Sequence, residues 1–295
     1  MRVAVVDIGS NTARLLVADV AGDGLADVEK RRAYLGLGEE IARTGELSAP
    51  SIARTAAIAA AYAARARKQG ATLVQTVVTA PGRQGAGTGA LLAALADATG
   101  GDVRVLSADE EGRLAFDGAL HRARTPLPEV LAVVDVGGGS SEIAVGTPLI
   151  GAAWVRSLDL GSLRLAQRAL EGDPPTKRSL TRARELVSAA FADVDAPRPD
   201  VALAAGGSAR AVSRIVGRTF GEDDLAEVTR IASQWPAAKV AKTFGYHLHR
   251  ARTLAAGAIL LAAASQALGR PLELAGGGVR EGAALALAVR PAAAA

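Results

Sequence analysis

The stretch AVVDIGSNTARLLVA (Ala4 to Ala18) recurs 128 residues later as AVVDVGGGSSEIAVG (Ala132 to Gly146). The first Ala, both Val, the Asp, the Gly two positions after the Asp and a later Val are identical in the two copies. Each copy has a β-branched apolar run, a short bend of small or polar residues and a second apolar run. This pattern predicts a strand, a tight turn and an antiparallel strand. A duplicated hairpin predicts two related domains.

The bends of the two hairpins are candidate phosphate-binding loops. A Gly-rich bend after a buried strand can turn successive backbone N–H groups toward one point, and such a concavity binds phosphate oxygens. A single bend is more typical of a plain hairpin turn, but two bends related by duplication would face each other across a cleft between domains. The candidates are Gly9, Ser10, Asn11 and Thr12 in the first bend and Gly137, Gly138, Gly139, Ser140 and Ser141 in the second.

Charged residues occupy equivalent positions in the two hairpins. Asp7 and Asp135 each end a predicted buried strand, where an Asp is unfavourable unless it has a role. Mg²⁺ is the ion we expect there, because the available ligands are the oxygen atoms of carboxylates and phosphates, which Mg²⁺ prefers. An Asp that caps its own turn is the alternative. Arg14 corresponds to Glu142, so one hairpin could hold a phosphate while the other orients a water.

The segment between the hairpins alternates predicted helices and strands, which indicates an α/β protein. Ser48 to Gly70 predicts a long amphipathic helix, and Ala108 to Ala123 predicts a helix that opens with acidic residues. A chain of 295 residues is long enough for two domains. The proline-containing segment Arg122 to Val130 predicts a hinge, which divides the chain into domains 1–124 and 125–295.

Composition excludes several classes of function. Aromatic residues make up 3% of the chain, too few for the stacking platforms that bind single-stranded nucleic acid. The chain has no Cys, which excludes disulfides, zinc-thiolate sites and thiol nucleophiles. It has neither the P-loop motif nor the G-x-S-x-G nucleophile motif. The net charge of +4 suits a small anionic partner as well as a solvated surface.

No segment predicts a membrane span. The longest apolar stretch, Thr253 to Leu268, contains Ser265 and Gln266 and is shorter than the ~20 residues that a spanning helix needs, so it predicts a buried helix. Asp7 lies where the apolar core of a signal peptide would be. These patterns predict a cytoplasmic protein without a membrane partner.

Three other features have two interpretations. From composition alone, Glu111 in the sequence ADEEG caps a helix and compensates the helix dipole. The glycines of GGS (Gly206 to Ser208) and GGG (Gly276 to Gly278) follow apolar runs and predict either tight turns or part of a ligand-binding cleft.

The two hairpins, DIGSNTARLL and VVDVGGGSSEIAV, resemble the phosphate motifs of the exopolyphosphatase and guanosine pentaphosphate phosphohydrolase family. This family lies within the acetate kinase, sugar kinase, Hsc70 and actin superfamily. The resemblance continues in family order over Val105 to Gly118, Ala204 to Val212 and Gly276 to Leu285, and so covers nearly the whole chain. It implies an α/β fold of two ribonuclease H-like (actin-like ATPase) domains with an active-site cleft between them.

The resemblance also implies an activity and its residues. It implies hydrolysis of terminal phosphate from inorganic polyphosphate or guanosine pentaphosphate, with Mg²⁺, in a homodimer. Glu111 matches the family's general base, which replaces the capping interpretation. The remaining implied roles are water or metal positioning by Glu142, metal binding by Asp7 and Asp135, and phosphate binding by Arg14, Arg83, Gly207 and Ser208.

Inorganic polyphosphate of short to medium length is the substrate we expect. The few aromatic rings leave little on which guanine could stack. The segment TAPGRQGAG (Thr79 to Gly87) keeps Arg83 but loses the surrounding family pattern T-S-A-x-R-x-A-x-N, so fewer subsites are expected for a long chain. The alternatives are a guanosine pentaphosphate 5′-phosphohydrolase, a kinase of the same superfamily, and a non-catalytic regulator that binds polyphosphate or guanosine tetraphosphate.

Overall fold

The computed structural model describes residues 1–22, 24–123 and 129–289 and divides the chain into two compact units. The first unit comprises Met1–His121 together with the segment that begins at Gly277, and the second comprises Arg122–Gly276. The predicted boundary after residue 124 lies outside the described residues.

The first unit is built on a five-stranded mixed sheet in the order β3-β2-β1-β4-β5. Strands β1, β2 and β3 form an antiparallel meander, whereas β4 and β5 run parallel to β1. The elements are β1 (Arg2–Ile8), β2 (Thr12–Ala21), β3 (Gly24–Tyr34), α1 (Leu37–Thr44), α2 (Ala49–Lys68), β4 (Leu73–Val78), α3 (Pro81–Gln84), α4 (Thr88–Thr99), β5 (Asp102–Val105) and α5 (Ala108–His121).

The second unit repeats this plan on a six-stranded sheet in the order β10-β11-β9-β6-β7-β8. Its first three strands again form an antiparallel meander, and β9 and β11 continue in parallel. The elements are β6 (Leu131–Val136), β7 (Ser141–Thr147), β8 (Gly151–Leu158), α6 (Ser162–Ala169), α7 (Lys177–Phe191), β9 (Val201–Ala205), α8 (Gly206–Val216), β10 (Thr219–Phe220), α9 (Glu222–Gln234), α10 (Ala237–Phe244), α11 (Leu248–Arg252), α12 (Leu254–Leu268) and β11 (Leu272–Leu274). The duplicated hairpins are therefore confirmed.

Helix α2 and helix α12 show why the sequence predicted these elements. Ser48 caps α2 by accepting a hydrogen bond from the Ser51 amide, as the Ser before an apolar repeat predicts. Helix α12 is buried along most of its length, as its continuous apolar sequence predicts. Across the described ranges, no helix combines the length and the apolar character that crossing a membrane requires.

The last described helix, α13 (Val279–Val289), packs in the first unit and not in the second. Two glycines allow its backbone to approach α5 closely. A Cβ atom at Gly118 would lie 2.1 Å from the Gly278 carbonyl oxygen, and one at Gly282 would lie 2.0 Å from the Leu114 carbonyl oxygen. The predicted domain 125–295 included α13, whereas the structure places α13 in the first unit, where its small residues allow close packing against α5.

Candidate active site

The first bend connects β1 to β2 and is tied to the start of helix α1. The Gly9 amide donates to the Thr12 carbonyl (3.0 Å), and the Ser10 carbonyl accepts from the Gly38 amide (2.8 Å). Because a trans peptide is planar, the Asn11 N–H must point away from α1 when the Ser10 carbonyl points toward it. The bend therefore aims backbone donors away from the helix, as an anion site requires.

The second bend has the same hydrogen-bond pattern. The Gly137 amide donates to the Ser140 carbonyl (3.0 Å), and the Gly138 carbonyl accepts from the Leu163 amide at the start of α6 (3.0 Å). Gly138 and Ser10 occupy the same repeat position, so both bends use one carbonyl to cap a following helix. The predicted equivalence of the two loops thus extends to their backbone geometry.

Helix α6 approaches the second bend so closely that only glycine fits at residue 161. A Cβ atom there would lie 2.5 Å from the carbonyl carbon of Gly138 and 2.7 Å from the amide nitrogen of Gly139. Gly161 has a φ of −105°, which any residue can adopt, so the requirement for glycine is steric. The N-terminus of α6 therefore fixes the conformation of the second bend.

Asp7 and Arg14 are direct partners across β1 and β2. The Arg14 Nε atom lies 3.2 Å from the Thr12 hydroxyl, so the guanidinium stays at the bend. Burial raises the pKa of Asp7 above its ordinary value, although Arg14 and Arg280 act in the opposite direction. Asp7 therefore has two cations, Arg14 and Arg280, and one anion, Glu281, near it, and it is placed to position Arg14.

Helix α13 brings a second charged pair, Arg280 and Glu281, to the same unit. Both side chains are buried, and Glu281 forms an ion pair with Lys30 of β3 (3.0 Å) and accepts from the Gly278 amide (3.1 Å). Burial alone would raise the pKa of Glu281, but Arg280, Lys30 and hydrogen bonds lower it below the ordinary value. Glu281 is therefore an ionised buried carboxylate.

Asp135 and Glu142 are direct partners across β6 and β7, at the repeat positions of Asp7 and Arg14. Glu142 is 1% exposed and accepts a 2.9 Å hydrogen bond from the Ser157 hydroxyl of β8. Gly206 packs against Asp135, because a Cβ atom at this residue would lie 2.2 Å from Asp135 Oδ1, and its φ of +81° also favours glycine. Neighbouring backbone and hydroxyl groups thus orient both carboxylates.

Glu111 lies in the first turn of α5 but does not cap it. The Ser107 hydroxyl accepts from the Glu110 amide (3.1 Å) and the Glu110 carboxylate accepts from the Ser107 amide (2.8 Å), which is a capping box. Glu111 is 8% exposed, and its Oε2 atom accepts a 2.8 Å hydrogen bond from Arg83 Nη2. The helix therefore uses Glu110 for capping and turns Glu111 inward.

Arg83 comes from α3, in the altered segment after β4. Besides Glu111, it donates to the Leu106 carbonyl (2.6 Å), so its guanidinium bridges the end of β5 and the start of α5. The structure thus brings Arg83 to the candidate general base, whereas the sequence predicted only that it binds phosphate.

Several predicted phosphate-binding hydroxyls already have protein partners. Ser141 donates to the Leu160 carbonyl (2.7 Å) and Ser208 to the Val136 carbonyl (3.0 Å). Gly207 and Ser208 lie in the first turn of α8 and not in a loop, since the helix begins at Gly206. Backbone amides and not these hydroxyls are therefore the groups available for an anion. Asn11 differs, because its Oδ1 atom is buried without a hydrogen-bond partner in the described residues.

The carboxylates of the second unit fit a Mg²⁺ ion better than Asp7 does. Mg²⁺ is usually held by one or two carboxylates together with substrate phosphates and water, and Asp135 and Glu142 supply such a pair. Within the described parts of the chain, no three His, Asp or Glu side chains form a complete protein-only metal cage. Asp7 has the cations Arg14 and Arg280 and the anion Glu281 near it, which favours a metal ion less than a pair of carboxylates does.

Sequence reasoning missed four residues of these sites. Arg280 and Glu281 lie near Asp7, Lys30 pairs with Glu281, and Ser157 contacts Glu142. The segment GGGVREG (276–282) was a usable signal for Arg280 and Glu281, since it belongs to the matched motifs. Nothing in the local sequence distinguishes Ser157 from other strand serines.

Comparison with known families and proteins gives one consistent result. The sequence profile of the Ppx/GppA phosphatase family matches residues 16–290. Exopolyphosphatase 2 of Mycobacterium tuberculosis is 37% identical over 199 residues, which cover 63% of this chain and 60% of that protein. The chain thus spans 60% of the length of the exopolyphosphatase 2 that it matches. Exopolyphosphatase 1 of the same species is 27% identical, over 96% of this chain and 87% of that protein.

Solved structures support the same fold. The Aquifex aeolicus member of the Ppx/GppA family superposes with a TM-score of 0.83 at 24% identity, with 97% of each chain covered. An exopolyphosphatase-like protein superposes with a TM-score of 0.87 at 24% identity, again over 97% of each chain. At this level of identity the likeness concerns the fold. Together with the two mixed sheets, it confirms the predicted α/β fold with two repeated domains.

Proposed function

We propose that this chain, which belongs to the Ppx/GppA phosphatase family, is an exopolyphosphatase that hydrolyses the terminal phosphate of inorganic polyphosphate. The proposal rests first on the position of Glu111. The Glu111 carboxylate is buried, turned inward and held by Arg83, while the helix cap uses the neighbouring Glu110. A buried carboxylate with a specific charge partner is a functional-site candidate.

The chemistry follows from this carboxylate and the loops. Glu111 accepts a proton from the attacking water, the water oxygen bonds to the terminal phosphorus, and the bridging P–O bond breaks. The bridging oxygen leaves with the shortened chain, and orthophosphate is the second product. Backbone amides of the first bend and Arg14 hold phosphate oxygens, so positioning and charge stabilisation supply most of the rate.

Asp135 and Glu142 are the residues that would hold Mg²⁺. Family members are generally dependent on a divalent metal, and the choice of Mg²⁺ is our proposal, since the pair offers only oxygen ligands. A bound ion supplies charge neutralisation at the phosphate oxygens. Ser157 restrains Glu142, so the carboxylate is oriented before any ligand arrives.

The substrate preference is also part of the proposal. Amides and arginines recognise repeated phosphates and not a base, so we expect inorganic polyphosphate of short to medium length to be preferred over guanosine pentaphosphate. The relatives named exopolyphosphatase support this choice. The homodimer and the cytoplasmic location stay predictions.

Phosphate release from polyphosphates of defined length, with Mg²⁺ or with a chelator, tests the proposal. We expect release from inorganic polyphosphate without any acceptor, with a higher kcat/KM than for guanosine pentaphosphate at the same ionic strength. Higher kcat/KM for the nucleotide would make the chain a guanosine pentaphosphate phosphohydrolase. Transfer to an acceptor only in the presence of ATP would make it a kinase, and binding without turnover would make it a regulator.

A further inference from the structure

Three charged residues lie side by side on one face of the first sheet. Asp7 of β1 is the direct partner of Arg14 of β2, and Arg14 is the direct partner of Arg32 of β3. Directly opposite residues in antiparallel strands share a face, with Cβ atoms about 4.5–5.5 Å apart. The row therefore extends from the first phosphate loop to β3, which is the edge strand of the sheet.

Arg32 is an unusual member of this row. Like charges directly opposite each other destabilise a sheet, and Arg14 already faces Asp7 on its other side. Arg32 is exposed, and in the part of the chain that the structure describes it has no hydrogen bond or ion pair. Arg32 and Arg14 are thus adjacent cations on β3 and β2, and Asp7 on β1 is the one carboxylate in this row.

The two cations that precede Arg32 on β3, Lys30 and Arg31, both form ion pairs. Lys30 forms ion pairs with Asp27 (2.8 Å) and Glu281 (3.0 Å). Arg31 pairs with Glu29 (2.6 Å), and hydrogen bonds from Arg65, Arg31 and Gln69 lower the pKa of Glu29 to about 2. Carboxylates of the protein therefore neutralise the other two cations of this part of β3.

We propose that Arg32 forms a second phosphate subsite, which binds a phosphate further along the chain than the one held by Arg14. The ligand is a linear phosphoanhydride chain, and the inference rests on the proposed function. Two guanidinium groups on neighbouring strands can hold successive phosphates of one flexible chain. A single phosphate that bridged both groups would instead place Arg32 at the terminal phosphate, and inhibition by orthophosphate distinguishes the two arrangements. The exposed edge of the sheet gives the remainder of the chain a path into solvent.

This subsite affects binding and not the chemical step, because Arg32 does not contact the bond that breaks. Loss of one exposed charge contact is expected to raise the KM for polyphosphate about three- to tenfold, with kcat within about twofold of the native value. Inhibition by orthophosphate, which needs only one subsite, is expected to be unchanged.

The experiment compares Arg32→Gln with Arg31→Gln. Both substitutions remove one positive charge from adjacent positions of β3, but Arg31 is the direct partner of Leu15 and therefore lies on the opposite face. We expect a raised KM in Arg32→Gln alone, rescue by Arg32→Lys, and equal inhibition constants for orthophosphate in all variants. Circular dichroism of each variant confirms that the fold is retained.

Two results would overturn the subsite. The first is an equal KM for polyphosphate in Arg32→Gln and Arg31→Gln, which would reduce Arg32 to a general surface charge. The second is an equal loss of orthophosphate inhibition and polyphosphate affinity, which would place Arg32 at the terminal phosphate. If the native protein released no phosphate from polyphosphate, the proposed function would fail separately. Calorimetric binding of the same polyphosphates to the native protein, Arg32→Gln and Arg31→Gln would then decide the subsite, and equal affinities of the two variants would contradict it.

Discussion

The Arg83 guanidinium donates a 2.8 Å hydrogen bond to Oε2 of Glu111, a residue that lies 28 positions later in the chain. Burial of a lone carboxylate is costly, and a cation at hydrogen-bond distance offsets much of that cost. The segment Thr79 to Gly87, which departs from the family pattern, thus still delivers the arginine that the buried Glu111 needs. The ionised carboxylate is the form that can accept a proton.

Replacement of Glu111 by Gln should abolish turnover while polyphosphate binding persists. A general base contributes about 10²–10⁴ in rate, and the amide keeps the shape of the side chain. Glu110→Gln is the matched control, because Gln can still complete the capping box with Ser107. Single-turnover phosphate release and binding of polyphosphate measure the two effects. Normal turnover in Glu111→Gln would exclude this residue as the base.

Arg83→Gln should lower kcat by about tenfold or more, because the buried Glu111 carboxylate loses the cation that holds it in position. Arg83→Lys restores the charge but not the forked guanidinium donors, so it should restore kcat in part. The measurement is kcat and KM for polyphosphate in both variants. A raised KM with an unchanged kcat would instead show that Arg83 acts on the substrate.

Gly161→Ala should weaken substrate binding through the second bend. The new Cβ atom would lie 2.5 Å from the carbonyl carbon of Gly138, so the bend must move. Gly221→Ala is the control, since Gly221 also precedes a helix with a φ of −105° but would place its Cβ atom 4.0 Å from Pro271. We expect a KM increase of about tenfold or more in Gly161→Ala only. Similar kinetics in the two variants would show that the bend does not hold substrate.

Gly282→Ala should destabilise the protein, because its Cβ atom would lie 2.0 Å from the Leu114 carbonyl oxygen and separate α13 from α5. Overpacking of this kind costs about 1–3 kcal/mol in the free energy of unfolding. Gly89→Ala is the control, as nothing lies within 4 Å of its Cβ position in α4, and it should be neutral or stabilising by up to about 1 kcal/mol. Urea unfolding of both variants gives the comparison.

Glu281→Gln should reduce stability at neutral pH by about 1–3 kcal/mol. The pKa of Glu281 is lowered in the folded protein, so its ionised form adds stability above the unfolded-state pKa and loses it as the pH falls through the folded-state pKa. The free-energy difference between the native protein and the variant should therefore shrink on acidification. Chemical unfolding from pH 7 to pH 3 measures this difference. A difference that stays constant with pH would mean that the carboxylate charge is not involved.

Parts of this architecture were predictable because they depend on short segments. The hairpins that place Asp7 and Asp135 follow from alternating apolar residues around a bend, and α12 follows from its continuous apolar sequence. The spacing Ser107-x-x-Glu110 is the capping-box pattern and identifies Glu110 as the cap of α5. The pairing of Glu111 with Arg83 joins residues 28 positions apart, which the local sequence does not reveal. The row from Asp7 to Arg32 depends on the register of β3, a charged strand that apolar periodicity does not reveal.

The position of α13 also determines the order in which the units can form during synthesis. The second unit, Arg122–Gly276, is continuous, so all of its strands are available before α13 is translated. The first part of the first unit is translated first, but the unit is incomplete until α13 has been synthesised. At about 5–20 residues per second, translation of the intervening second unit takes on the order of ten seconds or longer. During that interval the surface of α5 that carries Gly118 is not covered by α13, so it can bind chaperones or associate with other unfolded chains. The unit that contains Glu111 is therefore the last to be completed, and nascent chains that have not yet received α13 should have no hydrolytic activity.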